Sequence, residues 1–293
     1  GLLQRTVTPT AGLLVASASG DFVIDGVRFD DGVHSVAVGM IETNHATARL
    51  SATNISATNG YSCIWAKQAE SVDISGGEYS YSKHNLYFGD NVSGNLPGTI
   101  NDVQVRGVNS HHALTGGDGL KTVSGVKRLS VIGGYYHHNA QDGLDLYAGC
   151  DEATLVDVSS YLNTVNGVDI KQGAGTESEA LFGVRRRITI LGGSYQDNTE
   201  VGIKIYGDST QDGYFEYCAV IGANITGNKQ YGIHNRGVAS RIIGNLLVGN
   251  AVSTASHYSV IYMQGDTPAA VIFTDTVDLV TYTAHPCSDD DVV

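Results

Sequence analysis

The chain has 293 residues, a formal charge of −13, 37 glycines, four prolines, 16 tyrosines and a hydrophobic share of 42%, a composition that describes a folded, turn-rich β protein and excludes a disordered one. An acidic balance argues against nucleic acid as the partner, because phosphate binding needs basic charge; it still allows an anionic sugar polymer where lysines gather locally or a divalent metal intervenes. No apolar run reaches 18 residues, so no membrane insertion is expected, and the opening GLLQR shows no recognisable signal peptide.

Residues 1–20 carry no clear repeat and read as a capping segment. From Asp21 onward FVIDGVRF, SVAVGM and ARLSATNISATN alternate apolar and polar residues with period two, closed by Gly, Asn or Asp, as half-buried strands do. The clearest repetition lies further on. Asn139 and Asp142-Gly143-Leu144-Asp145-Leu146-Tyr147 are followed 24 positions later by Asn163 and Asn166-Gly167-Val168-Asp169-Ile170-Lys171. A period in the low twenties, with β-branched residues and no helical spacing, marks one turn of a parallel β-helix. Neighbouring copies then lie about 4.8 Å apart, with Asp145 beside Asp169 and Tyr147 beside Lys171. The expected fold is all-β, a right-handed single-stranded parallel β-helix over residues 21–265. Residues 266–293 are expected to add covering strands and a solvated acidic tail at Asp289–Asp291.

Aligning the strands on their apolar pairs sets Ile64, Leu86, Leu120, Leu144, Val168, Ile203, Ile233 and Ile261 in one inward column. The residues between and after such pairs must point outward to solvent. One outward column reads Trp65, Tyr87, Lys121, Asp145, Asp169, Lys204, His234, Tyr262, and the next Lys67, Gly89, Val123, Tyr147, Lys171, Tyr206, Arg236, Gln264. Carboxylates, lysines, aromatics and a histidine mixed in this way suit a carbohydrate groove, although polar-out alternation alone also predicts charge there.

A second set of strands alternates with the first, among them SVDISG at 71–76, KRLSVIGG at 127–134 and RRITILGG at 186–193, and a third short strand completes each rung. Between the sets Asn139, Asn163, Asn198, Asn228 and Asn250 recur as an expected internal ladder bonding the turn of the next rung. GDNVSGNLPGT, GAGTESEALFG and GDSTQDG interrupt the repeat at one fixed point, so they should wall the charged face. Cys63, Cys150 and Cys218 read as small buried residues, since no CxxC spacing is present.

Three chemistries remain open on the central rungs. Asp145 and Asp169 could be the paired carboxylates of glycoside hydrolysis, a one-rung gap near 5 Å suiting a retaining enzyme. Elimination from a uronate polymer needs a base and a cation that neutralises the substrate carboxylate. For that reaction Asp118, Asp142, Asp145 and Asp169 could hold Ca²⁺ through hard oxygen ligands. Lys171, near Lys204, Tyr147 and Tyr206, would be the base or charge clamp. Lys121, Lys204, Tyr206, His234, Arg236, Trp65 and Tyr87 are candidate substrate contacts, as are Arg185, Arg186 and Arg187. Finally, His111-His112 and His137-His138 could stack as a pair of pairs, with zinc or manganese conceivable there.

These residues resemble the right-handed β-helix superfamily of pectate lyases, alginate epimerases and bacteriophage tailspikes. QDGLDLYAG at 141–149 is similar to the calcium-binding stretch of one pectate-lyase family, matched at Asp142 and Asp145, with Gln141 where that family has its first aspartate. Such lyases carry a base lysine after Asn-Gly-Phe, whereas Lys171 here stands two residues beyond Asp169. The Tyr-Gly-Phe-Asp-Pro-His segment of alginate epimerases is matched only in its glycine and second acid. Loose rung spacing is most like a tailspike. That resemblance implies a phage tail or appendage protein, homotrimeric and extracellular, that binds or depolymerises bacterial surface polysaccharide. Secretion, hydrolysis, non-catalytic glycan binding and uronate C5-epimerisation are its alternatives.

Overall fold

The computed structural model describes residues 2–4, 13–30, 39–89, 100–123, 125–147, 150, 152–171, 185–206, 215–216, 218–235, 241–250, 261–263 and 276–277. Outside them lie nearly all of the three insertions, Arg236, Gln264, Cys287 and Asp289–Asp291, while Arg185, Arg186, Tyr206 and Tyr262 are described by backbone alone. Every described element is a strand, and no described helix is long and apolar enough to cross a membrane.

The chain winds as a right-handed parallel β-helix with three strands per turn. One turn comprises Leu120–Thr122 in a first sheet, Val126–Ile132 in a second and Tyr135–His137 in a third. The next comprises Leu144–Tyr147, Glu152–Val156 and Ser159–Tyr161, each strand parallel to its predecessor. The register expected from the apolar pairs holds residue for residue: Leu86 faces Ile64 and Leu120, Leu144 faces Leu120 and Val168, and Ile203 faces Val168 and Ile233. Leu2–Gln4 and Leu14–Ala16 already pair in parallel with Arg28–Asp30 and Ile41–Thr43, so the stack begins ahead of Asp21.

Inward side chains fill the solenoid axis. In the third sheet the central column runs Tyr79, Ser110, Tyr136, Ser160, Tyr195, all buried. Alternating a ring with a small residue fills the interior without collision. The serines also bind the turn leading into the first sheet, Ser110 Oγ donating to the Gly119 carbonyl at 2.8 Å and Ser160 Oγ to that of Gly167 at 2.7 Å. Cys63, Cys150 and Cys218 are free and buried, as expected.

The asparagine ladder is present. Asn139 donates its backbone N–H and its amide to Asn163 Oδ1 at 3.1 and 3.0 Å, and Asn163, Asn198 and Asn228 repeat the pattern toward Asn198, Asn228 and Asn250. Each thus meets the backbone donors that the turn leaves open. Against this ladder packs a column of glycines. A Cβ on Gly143 would collide with Ser160 Oγ and stand 2.7 Å from the Gly167 carbonyl oxygen, and one on Gly119 would stand 2.6 Å from the Gly143 oxygen. Gly143→Ala should therefore destabilise the chain by about 1–3 kcal/mol, the usual cost of overpacking. Urea unfolding checks this; an unchanged midpoint would mean that the turn has more room than its glycines indicate.

Candidate functional site

The turn entering the first sheet carries a second polar ladder. Asp118 Oδ1 accepts the Asp142 N–H at 3.1 Å, Asp142 Oδ1 accepts that of Asn166 at 2.9 Å, and Asn166 Oδ1 accepts that of Val201 at 3.3 Å. Asp118 and Asp142 thus do the same backbone work as Asn166, but each keeps a second oxygen. Three residues further on, the strands bring Lys121, Asp145, Asp169 and Lys204 into one outward column.

These charges meet. Lys121 Nζ lies 2.5 Å from Asp145 Oδ2 and 3.2 Å from Asp118 Oδ2. Lys171 Nζ lies 3.2 Å from Asp145 Oδ1, 3.1 Å from Asp169 Oδ2 and 3.6 Å from Asp142 Oδ2, and Lys204 stands 3.6 Å from Asp169. The carboxylates are buried, whereas the side chains of Lys121, Lys171 and Lys204 remain 17%, 27% and 22% exposed. Here the expectation that the whole column faces solvent needs correcting: it points away from the solenoid axis, yet its acids lie beneath its lysines. By contrast, on the second sheet Arg49–Asp21, Arg106–Asp73 and Arg128–Asp102 pair across rungs in the open, where such pairs contribute little.

Burial sets the titration of the acids. It pushes Asp145 up to about 6 despite Lys121 and Lys171. Burial, joined by the charges of Asp169, Asp145 and Asp118, raises Asp142 well above the carboxylate range. Asp118 behaves oppositely: burial raises it, but the hydrogen bond to His84 and the charge of Lys121 outweigh burial and hold it low. Burial alone would lower Lys121 and Lys171; the surrounding carboxylates reverse that and keep both protonated. Asp169 Oδ1 is buried without a hydrogen bond, and Asp145 Oδ1, 3.2 Å from the Lys171 ammonium, is ion-paired without one of good geometry.

Asp118, Asp142 and Asp145 bring ligand atoms within 4.8 Å of one another, a spacing that a metal ion could bridge, and Asp169 stands outside that trio. Calcium takes six to eight oxygens, so three carboxylates would supply only part of its shell. Two carboxylate oxygens are spent on backbone N–H groups, and the ammonium groups of Lys121 and Lys171 already lie against the trio. In this arrangement the lysines supply the cationic charge.

Trp65 and Tyr87 are buried rather than open to solvent, packed against Val123, with Tyr61 and Tyr147 beside them. Tyr87 faces Lys121 across one rung, and its ring lies 5.0 Å from that of His84, which contacts Asp118 at 3.2 Å. His84, absent from the sequence-based candidates, therefore joins the aromatic and acidic runs. Burial lowers its pKa. His234, three rungs beyond Asp145, pairs with Lys204 and packs near Tyr231. The backbone of Tyr206 faces Lys171, and Arg187, exposed, pairs with Glu152.

The histidines do stack. His111 lies over His137 with centroids 5.1 Å apart and His112 over His138 at 5.2 Å; Tyr81 and Tyr161 extend the array at opposite ends. They occupy the turn between the third and first sheets, apart from the lysine column.

No protein-family model matches the chain, and no curated protein matches it in sequence. Among solved structures it is similar to the A-module of the mannuronan C-5 epimerase AlgE6 of Azotobacter vinelandii, at TM-score 0.58 and 15% identity over 90% of this chain and 68% of that one. The AlgE4 A-module of the same organism is matched at TM-score 0.45 and 15% identity, covering 85% and 70%. The first likeness is one of fold, the parallel β-helix described above.

Proposed function

We propose that the outward face of the first sheet binds an anionic, uronate-containing polysaccharide and cleaves it by β-elimination, with lysines rather than calcium neutralising the sugar carboxylate. The observation that carries this reading is the row of three partly exposed lysines seated on four buried carboxylates. Ammonium groups spaced by one or two rungs, about 4.8 Å each, offer an acidic polymer successive anchors, even on a chain of net negative charge. Elimination asks for a cation at the uronate carboxylate and a base at the adjacent C5–H. Lys121 and Lys171 answer the first requirement. Because it is firmly protonated, Lys171 acts as clamp and not as base. Asp145, raised toward neutrality and carrying an oxygen without a hydrogen bond, takes the C5 proton. The C4–O bond then breaks, leaving a C4–C5 double bond, and Tyr147, beside Lys171 in register, protonates the departing oxygen.

Glycoside hydrolysis by Asp145 and Asp169 fits less well, because the Lys171 ammonium is wedged between the two groups where the sugar would have to pass. Uronate epimerisation begins with the same proton abstraction but leaves the chain intact. Incubation with polymannuronate, polyguluronate and polygalacturonate, followed at 235 nm, distinguishes them. Elimination predicts new absorbance that persists in excess EDTA. New reducing ends without absorbance would show hydrolysis, and absorbance abolished by EDTA and restored by Ca²⁺ would overturn the role given to the lysines.

A further inference from the structure

The stacked histidines carry a second site. Each pair ends a short strand of the third sheet, Asn109–His111 or Tyr135–His137, with a residue in the left-handed region: φ is 53° at His112 and 55° at His138. Successive strand side chains ordinarily point to opposite faces. The left-handed residue reverses the second one, so both rings of a pair project to the same side. Their Nδ1 atoms approach to 2.7 Å in His111–His112 and 2.8 Å in His137–His138, with the rings nearly perpendicular at 83° and 81°.

The far nitrogens favour one tautomer. His111 Nε2 stands 3.0 Å from Glu78 Oε1, and His137 Nε2 3.0 Å from Asn109 Oδ1. Both oxygens are acceptors, so each Nε2 carries the hydrogen and each Nδ1 of His111 and His137 presents a lone pair. A metal-ligating histidine is usually held in this way by an oxygen acceptor behind it. His112 and His138 then donate their Nδ1–H to that lone pair. Moving the hydrogen to Nε2 within a neutral ring frees a second lone pair at the same point, with no net loss of protons.

We propose that His111–His112 and His137–His138 form vicinal bidentate nitrogen sites for a borderline divalent transition metal of the copper, nickel or zinc class. Metal–nitrogen bonds of about 2.0–2.1 Å place two adjacent ligands roughly 3 Å apart, so the pairs need open by only a few tenths of an ångström, with each ring turning to aim its Nδ1 lone pair at the ion. Imidazole suits these ions, while calcium and magnesium prefer oxygen. Stacking holds the two pairs about 5 Å apart, and like charges at that distance repel. The first equivalent should therefore bind more tightly than the second.

The test is calorimetric titration of the intact chain with Cu²⁺, accompanied by electron paramagnetic resonance of the half-equivalent complex. His112→Asn with His138→Asn is the informative variant, because asparagine tolerates the left-handed backbone and removes one nitrogen from each pair. Circular dichroism checks its fold. The expected result is a copper signal with hyperfine structure from two equatorial nitrogens in the parent chain, and affinity about tenfold or more weaker in the variant. A second variant, His111→Gln with His137→Gln, should cause the same loss from the opposite ring of each pair. Oxygen-only coordination, or copper affinity unchanged in both variants, would overturn the proposal. This readout does not depend on activity toward a polysaccharide.

Discussion

Lys171→Met is expected to destabilise the chain by about 3–5 kcal/mol, the usual effect of removing one partner from a buried charge cluster. Lys171 touches Asp142, Asp145 and Asp169. Without its ammonium the three acids face one another across a poorly hydrated strip, and the raised pKa of Asp142 already reflects that burial and repulsion. Methionine keeps most of the alkyl packing, so charge dominates the difference. Adding Asp145→Asn should return part of the loss, with a coupling of about 1–3 kcal/mol in a double-mutant cycle measured by urea unfolding. Additive effects would mean that the two charges do not interact, and the proposed clamp would lose its support.

The second large effect concerns Asp145 itself. Asp145→Asn should lower the elimination rate by about 10²–10⁴-fold, the range for loss of a general base, while the fold persists at reduced stability, because Lys121 and Lys171 each lose one carboxylate partner and keep another. The pH profile carries the sign. Asp145 has been pushed up to about 6, chiefly by burial. A base works in its ionised form, so kcat/KM should rise through an apparent pKa near that value and flatten above it. A hydrolase using the same group as its acid would show the opposite limb. Activity that is flat across this window, or unchanged in the variant, would remove Asp145 from the reaction.

The solenoid was legible because its repeat is spoken twice in nearly the same residues. Two strands 24 residues apart with the order apolar–acid–apolar can pair in one register only, and a slip would turn Asp145 toward the solenoid axis and Leu144 away from it. The columns containing Lys121, Asp145, Asp169 and Lys204 followed directly. Their burial did not, since alternation says which way a side chain points but not what lies above it. His84 was missed for a related reason: it precedes an apolar pair, and only the turn at the strand start brings its ring to Asp118. The spent oxygens of Asp118 and Asp142 were equally hidden. An acidic cluster in sequence looks like a metal site until the backbone donors of the next rung, and lysines from neighbouring strands, take its lone pairs. The alternation of Tyr79, Ser110, Tyr136, Ser160 and Tyr195 is spread over strands of three residues, too short to show a period of their own.

The most direct test of the central claim is a crystal structure of the Asp145→Asn variant with a uronate oligosaccharide, grown in the presence of Ca²⁺. The lysine-clamp account predicts sugar carboxylates within 4 Å of Lys121 or Lys171, and no ion among Asp118, Asp142 and the residue at 145. Because the substitution itself removes one ligand charge, the parent chain soaked in Ca²⁺ is the paired control and should be equally free of an ion at the trio. A calcium ion bound there with both lysines swung away, or an oligosaccharide lying on another face of the solenoid, would contradict it.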